Sequence, residues 1–74
     1  MDRAAEMTAF VTAVENGGFS AAARTLGLTP SALSKLVSRL EDRLGARLLH
    51  RTTLRLQLTP AGETSYNRAH RILP

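Results

Sequence analysis

Polar side chains, most of them hydroxyl or basic, recur at helical spacing between residues 31 and 42. They are Ser31, Ser34, Lys35, Ser38, Arg39 and Asp42. Steps of three and four residues place most of these side chains on one surface of a helix. Serine can donate or accept hydrogen bonds at base edges, and lysine can reach the O6 and N7 atoms of guanine. The pattern indicates a helix that reads a DNA groove, although an isolated helix face of this kind is more often simply solvated.

Residues 51–55 carry a second set of groups suited to DNA. Arg51 and Arg55 flank the hydroxyl-rich pair Thr52-Thr53, which we predict to be the tip of a hairpin. Such a tip can lie along the DNA backbone or enter the minor groove, where a narrow width favours arginine. A turn that serves only solubility is the alternative interpretation.

Ser20 is a third candidate. Its hydroxyl can accept a hydrogen bond from a backbone N–H group, so we predict that it caps a short helix. A helix N-terminus with a hydroxyl cap is also an anion site that suits one phosphate group. A purely structural cap is an equally good interpretation.

The sequence contains no pattern typical of catalysis or metal binding. His50 and His70 are twenty residues apart, cysteine is absent, and no spacing is typical of zinc ligands. Nothing resembles a nucleophile elbow or a glycine-rich phosphate loop. The sequence therefore predicts no enzyme activity, no cofactor and no metal.

Charge is distributed unevenly along the 74 residues. Residues 29–74 hold eight Lys and Arg side chains against three Asp and Glu, whereas residues 1–28 hold two against three. A one-sided basic field favours a polyanionic partner, and charge alone leaves an ordinary basic surface equally open. No cysteine, no apolar stretch of about 20 residues and no secretory leader are present, so we expect a soluble cytoplasmic protein.

Three helices are predicted to position these groups. The first is capped by Asp2, ends at Asn16-Gly17-Gly18 and carries the apolar stripe Met7, Phe10, Val11 and Val14. The second is short, from Ser20 to Leu26, with Gly27 as its stop. The third has Thr29 as its cap, Pro30 in its first position, Gly45 as its stop and the apolar stripe Leu33, Val37, Leu40 and Leu44. Two helices joined by a tight turn indicate a helix-turn-helix.

After Gly45 the apolar period changes from that of a helix to that of a strand. Leu54, Leu56 and Leu58 alternate with polar residues, and residues 47–51 are predicted as the partner strand. Thr59 as cap and Pro60 in the first position then begin a fourth helix with the stripe Tyr66, Ala69 and Leu73. The predicted fold is mainly α with a small β-hairpin, a winged helix-turn-helix with a three-helix core.

Four runs of residues resemble the motifs of LysR-type transcriptional regulators. Residues 19–27 resemble SF-x-x-AA-x-x-L, and residues 28–35 resemble SQPALSR. Residues 39–52 resemble RLE-x-x-LG-x-x-LF-x-RT, and residues 58–63 resemble LT-x-AGE. The motifs follow in order across nearly the whole chain, and only their combination is specific to the family.

This resemblance implies an architecture and a set of partners. Residues 1–58 would form the DNA-binding domain, with a recognition helix at about 30–44 in the major groove and a wing at about 47–58. Residues 59–74 would begin a linker helix through which family members form dimers or tetramers. The partner would be double-stranded promoter DNA. An effector domain that responds to a small-molecule inducer would be absent here, so we expect an isolated domain or a fragment.

The resemblance also assigns roles to individual residues. The base-reading residues would be Pro30, Ser31, Ser34 and Lys35. The phosphate contacts would be Ser20, Thr29, Arg39, Arg51 and Thr52.

Three positions depart from the family pattern. Pro30 replaces a common glutamine, and Leu36 replaces a commonly polar residue. Leu54 stands where many members carry a minor-groove arginine, a contact that neighbouring Arg55 would have to supply. A winged-helix module for protein interaction or dimerisation is the alternative function. It requires an exposed apolar face, for which Leu36 and Leu54 leave some room.

Overall fold

A computed structural model describes the backbone of residues 3–51 and 56–72 and the side chains of residues 3–50 and 56–69. Within these ranges the elements are α1 (Arg3–Asn16), α2 (Phe19–Leu26), α3 (Pro30–Leu44), β1 (Leu49–Arg51), β2 (Leu56–Leu58) and α4 (Pro60–Ile72). Three helices, a two-stranded hairpin and a fourth helix confirm the predicted fold class. The Asp2 cap and Leu73 lie outside the described residues.

The core forms around α1, which packs against α2, α3, β2 and α4. Phe10 and Val11 of the predicted stripe are buried, and Met7 and Val14 pack against them partly buried. Further buried alanines on α1 and α2 are Ala9, Ala13, Ala22 and Ala23. Their small side chains allow α1 and α2 to approach closely. The buried face of α1 is therefore wider than the predicted apolar stripe.

The turn between α2 and α3 has the predicted chemistry at both ends. Gly27 adopts a left-handed conformation with φ 70°, which glycine accepts without a steric penalty. The Leu28 N–H group donates to the Ala23 carbonyl at 2.8 Å, which closes the end of α2. Thr29 Oγ1 accepts from the Ala32 N–H group at 3.1 Å, and Pro30 occupies the first turn of α3.

The predicted cap of α2 is wrong by two residues. Gly18 occupies the N-cap position and no side chain caps the helix, whereas Ser20 lies inside the first turn. The helix begins earlier because the Gly18 carbonyl accepts from the Ala22 N–H group at 3.2 Å and Phe19 packs against the core. Any role of Ser20 toward an anion therefore cannot rest on capping.

Helix α3 buries three of its four predicted stripe residues. Leu33, Val37 and Leu40 are buried, but Leu44 is 49% exposed. Beyond the left-handed C-cap at Gly45, Leu48 and Leu49 are buried and belong to the core instead.

The hairpin is antiparallel and short. Leu49 pairs with Leu58, and Arg51 pairs with Leu56. Leu56 and Leu58 are half-buried against the core while Gln57 is exposed, which confirms the predicted alternation over these residues. The first strand begins at Leu49, two residues later than predicted. The predicted tip Thr52-Thr53 and Leu54 lie outside the described residues.

Thr59 and Gly62 join the start of α4 to the hairpin. Thr59 Oγ1 accepts from the Gly62 N–H group at 2.9 Å, which confirms the predicted cap, and the Thr59 N–H group donates to the Leu48 carbonyl at 3.0 Å. A Cβ atom on Gly62 would lie 1.9 Å from the same Leu48 oxygen, so only glycine allows this approach. None of the helices in the described part of the chain is long and apolar enough to cross a membrane.

Candidate nucleic-acid interface

The outer face of α3 brings together six of the ten predicted site residues. Ser31, Lys35 and Arg39 are exposed at intervals of four residues and form one stripe along the helix. Ser34 is half-buried at the flank of this stripe, and Thr29 and Pro30 are exposed at its N-terminal end. We call the surface formed by Thr29, Pro30, Ser31, Ser34, Lys35 and Arg39 the α3 face.

Thr29 can serve the fold and a ligand at the same time. Its Oγ1 atom accepts from the Ala32 N–H group, which leaves the hydroxyl proton available as a donor. The side chain is exposed at the positive end of the α3 dipole, where an anion is favoured. The position therefore suits a phosphate oxygen.

The other four predicted site residues are not part of the α3 face. Ser20 is exposed in the first turn of α2. Arg51 is the last residue of β1, and its side chain lies outside the described side chains. Thr52 and Arg55 lie outside the described residues. Contacts from the wing thus stay predictions.

Two buried glutamates near this surface were missed by sequence reasoning. Glu41 Oε2 accepts from the N–H groups of Leu48 and Leu49, at 2.9 and 3.3 Å. Arg47 Nη1 lies 3.7 Å from the other carboxylate oxygen. The spacing contained a signal, since Glu41 follows buried Val37 by four residues and so shares its helix face.

Glu6 is the second buried carboxylate and connects α1 to α3. It is 1% exposed, and its Oε1 atom lies 2.6 Å from Arg43 Nη2. This contact is a close ion pair without the alignment of a hydrogen bond. Glu6 precedes buried Phe10 by four residues, so the same spacing signal was present.

Tyr66 connects α4 to α1 through its hydroxyl group, which donates to Glu15 Oε2 at 3.4 Å. Partial burial of the phenol raises the pKa of Tyr66 above its ordinary value, and the negative charge and hydrogen bond of Glu15 raise it further. Tyr66 therefore stays neutral under ordinary conditions and can keep donating to Glu15.

The chemistry available at this surface is recognition by hydrogen bonds and charge. Among the residues that the structure describes, no group of three or more His, Cys, Asp or Glu side chains could hold a metal ion. The α3 face instead combines exposed hydroxyl, ammonium and guanidinium groups, the donors that suit phosphate oxygens and base edges.

The sequence matches one protein family and is similar to known members of it. Residues 4–63 match the model of the family described as bacterial regulatory helix-turn-helix protein, lysR family. The chain is 52% identical over 68 residues to a probable HTH-type transcriptional regulator, LtrA of Klebsiella pneumoniae, which covers 92% of this chain and 22% of the relative. It is 44% identical over 73 residues to the HTH-type transcriptional activator AaeR of Escherichia coli, with 99% of this chain and 24% of the relative covered. The chain thus spans less than a quarter of the length of these relatives.

Solved structures share the fold across nearly the whole chain. The BenM DNA-binding domain in complex with catB site 1 DNA matches with a TM-score of 0.90 and 33% identity, over 99% of this chain and 80% of that one. The CbnR DNA-binding domain in complex with DNA matches with a TM-score of 0.89 and 32% identity, over 99% and 83% of the two chains. The family match covers the helix-turn-helix, the hairpin and the start of α4, and it confirms the resemblance drawn from the motifs. The chain belongs to the LysR family of bacterial regulatory helix-turn-helix proteins.

Proposed function

We propose that this chain binds specific sequences of double-stranded DNA to regulate transcription. The observation that carries the proposal is the α3 face, an exposed stripe of hydroxyl and basic groups on a capped helix that follows α2 after a three-residue turn. A helix-turn-helix places such a helix in the major groove. The similar domains of BenM and CbnR, each solved as a complex with DNA, support DNA binding by this chain.

The ten site residues divide into two roles in this proposal. Pro30, Ser31, Ser34 and Lys35 face the base edges. Ser20, Thr29, Arg39, Arg51, Thr52 and Arg55 contact the phosphate backbone or, for Arg55, the minor groove. Pro30 brings no hydrogen-bond donor, so the discrimination between bases depends on the two serines and Lys35.

Selection of duplexes from a random pool, followed by sequencing, tests the proposal directly. We expect an enriched motif that the chain binds more tightly than unselected duplexes of the same length, with an affinity that falls as salt rises. No enrichment, together with equal and weak binding of all duplexes, would overturn the proposal. A gel shift against the enriched duplex gives the first affinity.

The alternative of an interaction module has less support. Among the described side chains, the large hydrophobic residues with substantial exposure are Leu28 and Leu44. They lie at opposite ends of α3, which is roughly 22 Å long at 1.5 Å per residue, so they do not form one patch. Leu36 packs against the core and adds little to an exposed apolar surface.

The proposal extends to the organisation of the longer protein. Residues 1–58 act as the DNA-binding unit, and residues 59–74 begin a helix that leads toward a dimer or tetramer and an inducer-binding domain. The curated relatives are four to five times longer than this chain, which leaves room for such a domain. A regulator of this kind works in the cytoplasm on promoter DNA and needs no catalytic step.

A further inference from the structure

Glu41 connects the end of α3 to the start of the hairpin through one side chain. The residue is 7% exposed on the inner side of α3. Its Oε2 atom accepts from the N–H groups of both Leu48 and Leu49. Leu49 is the first residue of β1, and Leu48 immediately precedes it. We call this arrangement the Glu41 tether.

The tether joins two elements through one carboxylate oxygen that accepts two hydrogen bonds. Hydrogen bonds to an ionised carboxylate are roughly twice as strong as neutral ones. Two donors on consecutive residues fix the direction of the chain as well as its distance from α3. Arg47 Nη1 lies 3.7 Å from the second carboxylate oxygen and partly balances the buried charge.

The tether also joins the two parts of the proposed DNA surface. Glu41 is two residues from Arg39 on α3, and β1 ends at Arg51. Leu49 pairs with Leu58, so a displacement of β1 would carry β2 with it. The position of the hairpin relative to the α3 face therefore depends in part on this carboxylate, together with the buried side chains of Leu48 and Leu49.

We propose that Glu41 is a positioning residue for DNA binding: it holds the wing at the place where the wing and the α3 face engage one duplex together. This inference rests on the proposed function. It predicts that loss of the carboxylate removes the phosphate contacts of the wing while the base preference of α3 persists.

Glu41→Ala and Glu41→Gln form the test pair. We expect Glu41→Ala to enrich the same DNA motif as the wild type but to lower the slope of log affinity against log salt by about 1 or more, the loss expected for each missing phosphate contact. Glu41→Gln keeps an oxygen that can accept from both N–H groups and should recover part of the slope. Glu63→Ala is the matched control, because Glu63 is exposed on α4 and loses the same charge.

A double-mutant cycle separates positioning from a merely structural role. The wing variant Arg51→Ala with Arg55→Ala is combined with Glu41→Ala, and the salt slope of each protein is measured where circular dichroism shows it folded. If the tether acts through the wing, the combined protein loses no more slope than the wing variant alone. Additive losses, an unchanged slope in Glu41→Ala, or a wing variant with the slope of the wild type would each overturn the inference.

The outcomes of this test distinguish failure of the inference from failure of the proposed function. If Glu41→Ala does not fold, Glu41→Gln enters the same cycle with the same expected non-additivity. If the wild type binds no duplex, the proposed function falls. If the wild type binds and the cycle is additive, the tether alone falls.

Discussion

Lys35 is the side chain of the α3 face best placed to discriminate between bases. It is exposed one helical turn from both Ser31 and Arg39. Lys35→Ala should weaken binding to the selected duplex by about 1–3 kcal/mol, the cost of one good base contact, and weaken binding to random duplex less. Fluorescence titration of both duplexes measures the difference. Arg68→Ala, which removes an exposed charge from α4, is the control; equal losses on both duplexes would exclude base reading by Lys35.

At Gly62 the constraint is different, because the backbone of α4 closely approaches the backbone of Leu48. Replacement of a helical glycine by alanine ordinarily stabilises a helix by up to about 1 kcal/mol. At Gly62 the new Cβ atom would lie 1.9 Å from the Leu48 oxygen, so α4 would have to move away from the hairpin. We therefore expect Gly62→Ala to lower the free energy of unfolding by about 1–3 kcal/mol in urea titrations.

A neighbouring position on the same helix provides the comparison for Gly62. Asn67 is exposed on α4, and Asn67→Ala should change stability by no more than about 0.5 kcal/mol. If Gly62→Ala were as stable as the wild type, the close approach of α4 to Leu48 would be wrong.

At the scale of the elements, helix ends could be predicted where they depend on residues that are close in the sequence. The stop at Gly27 and the start at Thr29-Pro30 involve neighbouring residues only, and both were predicted correctly. The start of α2 was misplaced because the Ala22 N–H group donates to the carbonyl of Gly18, an acceptor that any residue can supply.

Burial of charged groups was harder to predict than helix ends. Glu6 is buried because Arg43 approaches from another helix, and Glu41 is buried because Leu48 and Leu49, at the start of the hairpin, supply two N–H donors. Neither partner is a neighbour in the sequence. The helical spacing from Phe10 and Val37 indicated an inward direction, but the partner that makes burial tolerable depends on the tertiary fold.

The ion pair between α1 and α3 leads to a prediction about how these helices are held together. Arg43→Met leaves the Glu6 carboxylate buried without its partner, so we expect a loss of about 2 kcal/mol in the free energy of unfolding. The value is below that of a fully buried pair because the Arg43 side chain is 33% exposed. Combining it with Glu6→Leu should restore much of the loss, since no unpaired charge remains.

Urea unfolding of the two single variants and the double variant measures this coupling. If the double variant were less stable than Arg43→Met, the unpaired charge of Glu6 would not be the cause of the lost stability. Arg24→Met, at an exposed arginine on α2, provides the control for the substitution.

The contact between α1 and α4 predicts a dependence on alkaline pH. The pKa of Tyr66 is raised above its ordinary 10.0 in the folded chain, so the folded state favours the neutral phenol. Its contribution to stability is complete below pH 10 and is lost as pH rises through the raised pKa. Tyr66 is the one tyrosine of the sequence, so phenolate absorbance reports it alone. Glu15→Gln should shift this titration toward lower pH, and an unchanged midpoint would remove Glu15 as a cause.

At the scale of the whole molecule, charge and fold divide the chain into a structural and a binding part. The basic excess belongs to residues 29–74, which form α3, the hairpin and α4. Residues 1–28 carry a slight acidic excess and include α1 and α2, with α1 at the centre of the core. A polyanion should therefore meet the surface of α3 and the hairpin, and repulsion by the acidic part would disfavour the opposite orientation.

This division predicts the strength of the salt dependence. Two arginines are proposed to contact phosphates, Arg39 and Arg51, so the slope of log affinity against log salt should be about −2, near −0.9 for each contact. The slope counts local contacts and is insensitive to net charge. Glu15→Gln, which raises the net charge of +4 without touching the proposed surface, should leave it unchanged. A slope near zero, or one that follows net charge, would show that binding is not organised around the α3 face and the wing.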